Sequence, residues 1–364
     1  MKNSFGNSIT LTLFGESHGT SIGAVIDGLS PGISVDYEAI SRYLSLRRPD
    51  GETSTGRVEK DEFVIESGVF NGYTTGTPIC IRIPNQNTQS GDYTEIKNKA
   101  RPGHADYTAY CKYHGFEDCR GGGHFSGRLT TAIVAAGGIL IPALEKKNIL
   151  IGSHILNLGG ISDRNFENYG EDIKGLNNEK FPVLDKTAGE QMKDEIKKAK
   201  AEGDSIGGIL QTAIFNLPAG VGEPWFDSLE GLISHAVFSV GGVKGIEFGT
   251  GFGLAKMKGS EANDKFRIDE KGKIHTLTNH SGGINGGISN GMPVVFNCVI
   301  KPTSSVYKVQ QTVDFIKGQN CEIEIKGRHD PCILPRARVV IDSLTALVIC
   351  DLLAGRYGTD YLKP

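Results

Sequence analysis

Arg101-Pro102-Gly103-His104-Ala105-Asp106-Tyr107-Thr108 opens, and Arg120-Gly121-Gly122-Gly123-His124-Phe125-Ser126-Gly127-Arg128-Leu129-Thr130 closes, the segment on which the reading of this chain turns. It runs into an apolar stretch, Ala132 to Leu144, that reads as a core helix. Three glycines feeding a helix start suit an anion. The helix N-terminus offers unpaired backbone N–H groups and a partial positive charge, glycine admits close approach, and Arg120 and Arg128 add full charges. His104 is then a proton-transfer candidate, because imidazole titrates near neutral pH. A tight glycine turn before a core helix, with a surface histidine, accounts for the same residues equally well.

The 364 residues carry 39 Lys and Arg against 42 Asp and Glu, a formal charge of −3. That balance argues against a nucleic-acid partner, and any anionic ligand must be held by clustered arginines. Glycine, at 49 residues, is about twice its usual ~7% share without a repeat period, which implies many tight turns and ligand-facing loops. The seven cysteines form no C-x-x-C pair and no Cys/His pattern at zinc spacing, so neither a disulfide framework nor a metal site is expected and a cytoplasmic setting fits. Ala132 to Leu144 falls short of the ~20 apolar residues of a membrane span, and the N-terminus lacks a basic segment followed by an apolar run. No membrane association is expected.

Along the chain, Ile9 to Phe14 alternates as a half-buried strand and delivers Gly15-Glu16-Ser17-His18-Gly19, which reads either as turn chemistry or as an acid–base site. Ser34 to Leu46 has helical spacing and ends in Arg47-Arg48-Pro49. Two arginines there either meet the helix dipole or clamp a carboxylate or phosphate. Strands are predicted over Phe63 to Phe70, Pro78 to Ile83, Ile149 to Leu158, Ile206 to Leu217 and Met292 to Ile300. Asn165 to Asp185 reads as an irregular surface insertion, Thr187 with Glu190 as a capping box, and Asp227 or Ser228 as the cap of a helix ending near Gly241-Gly242. Gly249-Thr250-Gly251-Phe252-Gly253 lacks the third-glycine spacing and the following apolar helix of a dinucleotide fold. Lys301-Pro302-Thr303-Ser304-Ser305, a cation followed by hydroxyls, suits phosphate and is also ordinary loop composition. A long helix is expected over roughly Val339 to Leu353. It puts Asp351 on the face of Leu344, Leu347 and Val348 and Asp342 on the opposite one, so Asp351 is either a functional acid or a satisfied buried one.

Taken together, Gly15 to Gly19, Arg47-Arg48-Pro49, Ser67 to Phe70, Thr74 to Pro78, Arg101 to Thr108, Arg120 to Gly123, Gly203 to Gly207, Lys301 to Ser305 and Arg328-His329-Asp330-Pro331-Cys332 resemble the chorismate synthase family over nearly the whole length. The resemblance implies a lyase that converts 5-enolpyruvylshikimate 3-phosphate to chorismate and phosphate by 1,4-elimination, in the shikimate pathway of aromatic amino acid biosynthesis. It implies reduced FMN as cofactor and a homotetramer. It also implies one catalytic domain over residues 1–364, of α+β class, folded as a β-α-β sandwich with helices between antiparallel sheets. Catalytic roles carry over to His18, His104, Ser17 and Asp351. Substrate contacts carry over to Arg47, Arg48, Arg128, Arg336 and Arg338, an NADP contact to Arg47, and flavin contacts to His124, Phe125, Ser126, Gly241, Gly242, Gly286, Lys301, Pro302, Thr303, Ser304, Ser305 and Arg328.

Family members usually read Arg-Ser-Ser-Ala-Arg-Glu-Thr after the three glycines, where this chain has His124-Phe125-Ser126-Gly127-Arg128-Leu129-Thr130. Ser126, Arg128 and Thr130 are retained. Three other functions fit parts of the inventory: an FMN-dependent oxidoreductase, a non-catalytic sensor of phosphorylated metabolites, and a metal hydrolase built on His104, Asp106, His329 and Asp330.

Overall fold

The computed structural model describes residues 2–49, 51, 53–54, 60–86, 98–325, 327 and 329–363. Two antiparallel five-stranded sheets enclose a layer of helices. The N-terminal strands are β1 (Ser4–Phe5), β2 (Thr10–Gly15), β3 (Ser21–Asp27), β4 (Val64–Ser67), β5 (Val69–Phe70), β6 (Tyr73–Thr74) and β7 (Ile79–Pro84). They form one sheet in the order β1-β2-β3-β7-β4, with β5 and β6 paired apart from it. Its register follows from alternation. Ile22, Ala24 and Ile26 of β3 lie opposite Ile83, Ile81 and Ile79 of β7, and all six are buried in one apolar row.

The second sheet takes β8 (Leu150–Leu158), β9 (Ile161–Ser162), β10 (Gly208–Phe215), β11 (Val243–Phe248) and, after the hairpins β12 (Phe266–Ile268)/β13 (Ile274–Thr276) and β14 (Ile284–Asn285)/β15 (Ile288–Ser289), β16 (Val294–Ile300). Its order is β11-β16-β10-β8-β9. Leu210, Thr212 and Ile214 face Cys298, Phe296 and Val294 across β10 and β16, again with every member buried. A last hairpin, β17 (Gln310–Asp314) and β18 (Gln319–Ile323), precedes the final long helix.

The helices are α1 (Tyr37–Arg47), α2 (Asp106–Tyr113), α3 (Thr130–Glu145), α4 (Tyr169–Leu176), α5 (Lys186–Ala201), α6 (Leu229–Phe238), the single turn α7 (Gly259–Ala262) and α8 (Leu334–Tyr357). Helix α3 rests on β3 and β7, α8 rests on β8 and β10, and the two pack against each other with α1 and α6 beside them. This is the β-α-β sandwich, and its apolar core runs through both sheets and the helices between. The segment Gly127–Glu145 is long and apolar enough to cross a membrane by length and composition, but most of it is buried inside the fold, as a core helix requires.

Several local expectations change. Residues 165–185 contain α4, whose Ile173 and Leu176 pack with Phe166 onto the outer face of the second sheet, rather than an irregular insertion. Helix α5 is capped by Asp185, whose side chain accepts from Thr187 N–H at 2.8 Å, two residues earlier than the expected capping box. Ser228 caps α6 as expected, accepting from Gly231 N–H. Gly251 to Lys256 forms only a 3₁₀ turn, which agrees with the absence of a dinucleotide motif. Helix α8 starts at Leu334 with Pro335 in its first turn, which proline's fixed φ favours, and is longer than the apolar stripe suggested.

Candidate active site

Strand β2 ends at Gly15 and hands the Glu16-Ser17-His18-Gly19 turn to the rim of a large cleft. Two partners fix that turn. Asn85, just past β7, donates from Nδ2 to the carbonyls of Glu16 (3.0 Å) and Gly19 (2.9 Å). On the other side the glycine loop closes on it, with Ser17 N–H donating to the Gly123 carbonyl at 3.1 Å and His124 Nδ1 at 2.8 Å from the Gly15 carbonyl oxygen. Gly121 and Gly123 have φ of 60° and 53°. A β-carbon at 121 would lie 2.4 Å from His18 Cδ2 and would displace that ring, whereas one at 123 would lie 1.9 Å from the Asp118 carbonyl oxygen, where backbone leaves room only for glycine.

The loop does not enter α3 directly. It kinks through Gly121, Gly122 and Gly123, all at positive φ, and then forms a 3₁₀ turn over Gly127–Leu129, capped by Ser126 Oγ, which accepts from Arg128 N–H at 3.3 Å. Arg120 forms a two-pronged pair with Asp118 near the surface, so it does not add to an anion site. Arg128 does, because its side chain turns into the cleft toward Asn85 and Asp61.

Arg47 is buried at the end of α1. Its Nε donates to Thr130 Oγ1 (2.9 Å) and its Nη2 to the Gly127 carbonyl (2.8 Å), which ties α1 to the glycine loop. Arg48 follows it toward Asp61, at 3.7 Å. Arg336, in the first turns of α8, donates from Nε to the Arg47 carbonyl at 2.8 Å and from Nη1 to Asp330. The expected substrate arginines 47, 48, 128 and 336 therefore stand together.

Arg338 does not join them. It is 1% exposed, pairs with Asp342 at 3.2 Å, and donates to the carbonyls of Leu176 and Glu179. Two residues further along α8 than Arg336, it points to the opposite side of the helix, into the second sheet. Burial pushes the Asp342 carboxyl up, against the pull of Arg338 and Ser153. Asp351 is also a structural acid. It accepts from the backbone N–H groups of Asn7, Ser8 and Ile9 at 2.6–3.2 Å and is remote from the cleft lining. Asp330, held by Arg336, and Asp61, beside Arg128, are carboxylates that do line the cleft next to the arginines.

On the facing wall, Arg101 and Asp106 form a two-pronged ion pair at 2.7–2.8 Å that shapes the start of α2 and leaves His104 between them. His104 Nε2 lies 2.8 Å from Ser305 Oγ. Lys301 Nζ donates to the Gly103 carbonyl (2.7 Å) and to Ser304 Oγ (2.8 Å), and Lys301 N–H donates to the Gly242 carbonyl at 2.9 Å. The Lys301–Ser305 loop thus joins the His104 turn to Gly241-Gly242, and all of these residues line the cleft. Burial, followed by the positive field of Arg101, pushes the His104 pKa from 6.5 down to about 4 although Asp106 opposes the shift.

The cleft measures about 1560 Å³. A single-ligand pocket usually measures ~300–1,000 Å³, so this one has room for two small molecules side by side. His18, Ser17, His124, Phe125, Ser126 and Pro302 also line it. Gly286 does not. It lies in the turn between β14 and β15, whose neighbour Gly287 packs on Ser228. Arg328 lies outside the described residues. Among the described residues, no three His, Cys, Asp or Glu side chains are grouped as a metal ion needs.

A family profile described as chorismate synthase matches residues 9–354. The chain belongs to the chorismate synthase family. It is 44% identical to a chorismate synthase of Korarchaeum cryptofilum over 95% of this chain and 96% of the relative. It is also 44% identical to one of Thermococcus gammatolerans over 96% and 97%. A crystal structure described as chorismate synthase superposes with a TM-score of 0.76 at 26% identity, over 97% of this chain and 94% of that one.

Within this chorismate synthase fold, two cleft acids stand out: Asp330, which the sequence offered only as a ligand of the metal-hydrolase alternative, and Asp61, which it offered for nothing. Asp330 sat in a quoted motif, but Asp351 drew the attention because it fell on an apolar helix stripe. Asp61 sits in no pattern at all. Only the fold, which brings the residue ahead of β4 against the end of α1 and the glycine loop, reveals its place.

Proposed function

We propose that this cleft converts 5-enolpyruvylshikimate 3-phosphate to chorismate and phosphate, by loss of phosphate from C3 and a proton from C6, within one catalytic domain. The observation that carries the reading is the convergence, in one two-ligand cleft, of Arg47, Arg128 and Arg336, of His18 and His104, and of a Lys-Pro-Thr-Ser-Ser loop. A substrate with one phosphate and two carboxylates needs several guanidinium groups, whose planar forks match such anions. Arg47, Arg128 and Arg336 meet that need, with Arg48 behind them adding its charge through Asp61.

The wall made by Gly241-Gly242, Ser126 and Lys301–Ser305 suits FMN. Thr303 Oγ1 is buried there with no hydrogen-bond partner among the described residues, and Lys301, Ser304 and Ser305 present a cation and hydroxyls next to it. When bound, reduced FMN supplies an electron transiently to an elimination that has no net redox change. The protein's own groups handle the protons. His18, on the turn gripped by Asn85 and the glycine loop, protonates the departing phosphate. His104 is neutral at pH 7 with its pKa at about 4; an anion bound beside it would raise that value, so His104 would hold a proton only when this wall is occupied. Asp330, fixed by Arg336 beside the arginines, takes the catalytic place that the resemblance implied for Asp351 and removes the C6 proton, with Ser17 lining the same cleft. Acid–base assistance of this kind contributes ~10²–10⁴-fold.

We further infer a cytoplasmic homotetramer, with no nucleic-acid or membrane partner. Trp225 and Phe226, 86% and 95% exposed, supply apolar surface of the kind that subunit contacts cover. The test of the activity is anaerobic phosphate release from 5-enolpyruvylshikimate 3-phosphate. Turnover is expected with photoreduced FMN, and equal turnover with oxidised FMN overturns the reading.

A further inference from the structure

Two arginines of the cleft, Arg47 and Arg128, and their neighbour Arg48 turn toward one acid of the same chain. Arg128 donates from Nη1 to Asp61 Oδ1, Arg48 Nε lies 3.7 Å from Oδ2, and Arg47 Nη1 lies 3.9 Å from it. The Asp61 side chain is fully shielded from solvent and lines the cleft. Its backbone has a φ of 48°, a left-handed conformation that costs a residue with a β-carbon on the order of 1 kcal/mol. A buried carboxylate in a strained backbone is held in place by its cations.

The converse does not hold. Arg47 is fixed by Thr130 and Gly127, and Arg128 by Asn85 at 3.2 Å, through other atoms of their guanidinium groups. The arginines have anchors besides Asp61, so they form a preset anion site whose occupant in this structure is an internal carboxylate. We propose that Asp61 competes with the substrate's anionic group for Arg47, Arg48 and Arg128, and thereby sets the anion affinity of the cleft. This rests on the reading of those arginines as substrate ligands. The competition is electrostatic: a carboxylate at the focus of the three cations repels an incoming phosphate and must yield its hydrogen bond to Arg128 before that phosphate can take it.

The test is calorimetric titration of the full chain with inorganic phosphate at fixed ionic strength, for wild type, Asp61→Asn and Asp61→Gly. Asparagine keeps the shape and removes the charge. Glycine removes the charge and adopts the left-handed backbone without strain, which keeps the comparison available if Asp61→Asn folds poorly. Both variants are expected to bind phosphate at least ~10-fold more tightly than wild type, equivalent to ~1.4 kcal/mol. Adding Arg128→Ala to either is expected to abolish the gain. Phosphate affinity that is unchanged or weaker in the folded variants overturns the proposal and makes Asp61 a support for the arginines. The readout is independent of turnover, so a chain that forms no chorismate yet shows the tightened phosphate site refutes the proposed function and leaves this inference standing.

Discussion

His124 Nδ1 lies 2.8 Å from the carbonyl oxygen of Gly15, so the side chain at the position where family members usually carry arginine binds the protein's own backbone. With Ser17 N–H on the Gly123 carbonyl, this contact locks the glycine loop to the turn that presents His18. His124 is therefore a positioning residue. His124→Leu is expected to lower kcat by ~10–100-fold, because a misplacement of about 1 Å at a catalytic group costs that much, with a smaller change in KM. His124→Asn, whose amide can still donate, is expected to recover part of the loss. If the leucine and asparagine variants are equally impaired, the hydrogen bond is not what matters.

The two acids contrasted above give opposite phenotypes. Asp351 satisfies three backbone N–H groups at the start of the chain, so Asp351→Asn removes a buried charged acceptor and is expected to cost ~2–4 kcal/mol of stability. Arg338→Met breaks the buried pair with Asp342 and belongs to the same class, at ~3–5 kcal/mol. Asp330→Asn, in the cleft, is expected to lower kcat by ~10²–10⁴-fold with a far smaller shift in Tm. Urea melts and steady-state rates on the three variants separate the roles. A strong kcat loss in fully folded Asp351→Asn would restore that residue to the chemistry.

That contrast shows where the sequence was legible. Strands with period-2 alternation, such as Ile9 to Phe14, and helices with one apolar stripe, such as α1, lie within a few residues of where patterning put them. Helix α8 defeats the same logic, because it is buried on most sides and Arg338, Asp342, Ser343, Thr345 and Asp351 are all inside. Periodicity then cannot tell Arg336, which turns to the cleft, from Arg338, which turns to the second sheet. Asp61 and Asp330 gain their meaning only from arginines distant in the chain. Short, mostly polar elements such as α2 and the β17–β18 hairpin carry too little apolar pattern to be read at all.

The low pKa of His104 makes stability depend on pH. The folded chain holds this imidazole neutral down to about pH 4, whereas the unfolded chain protonates it near 6.5, so between those values the unfolded state binds more protons and stability falls as pH drops. The interval from 6.5 to about 4 corresponds to ~3 kcal/mol, fully expressed below pH 4 and absent above pH 7. His104→Gln keeps a partner for Ser305 and removes the titration. Its urea-derived stability is expected to fall less than that of wild type between pH 7 and pH 4.5, by roughly 2 kcal/mol. Parallel pH profiles for the two proteins would place the imidazole pKa near its ordinary value and remove the argument for a neutral His104.

Gly121 offers a test of how closely the glycine loop is fitted to His18. A β-carbon there would stand 2.4 Å from His18 Cδ2 and 2.5 Å from Nε2, at a φ of 60° that only glycine adopts without strain. Backbone on that loop cannot retreat, because Gly123 is pressed against the Asp118 carbonyl and its own carbonyl holds Ser17. The imidazole must move instead. Gly121→Ala is therefore expected to fold with a loss of about 1–2 kcal/mol and to lower kcat by at least ~10-fold, while inorganic phosphate still binds at Arg47 and Arg128. Gly127→Ala is the matched control, since a β-carbon there meets nothing within 4 Å and the backbone is not left-handed. If Gly121→Ala turns over as fast as Gly127→Ala, the ring of His18 is free to shift without consequence, and its role as the acid for the departing phosphate falls with it.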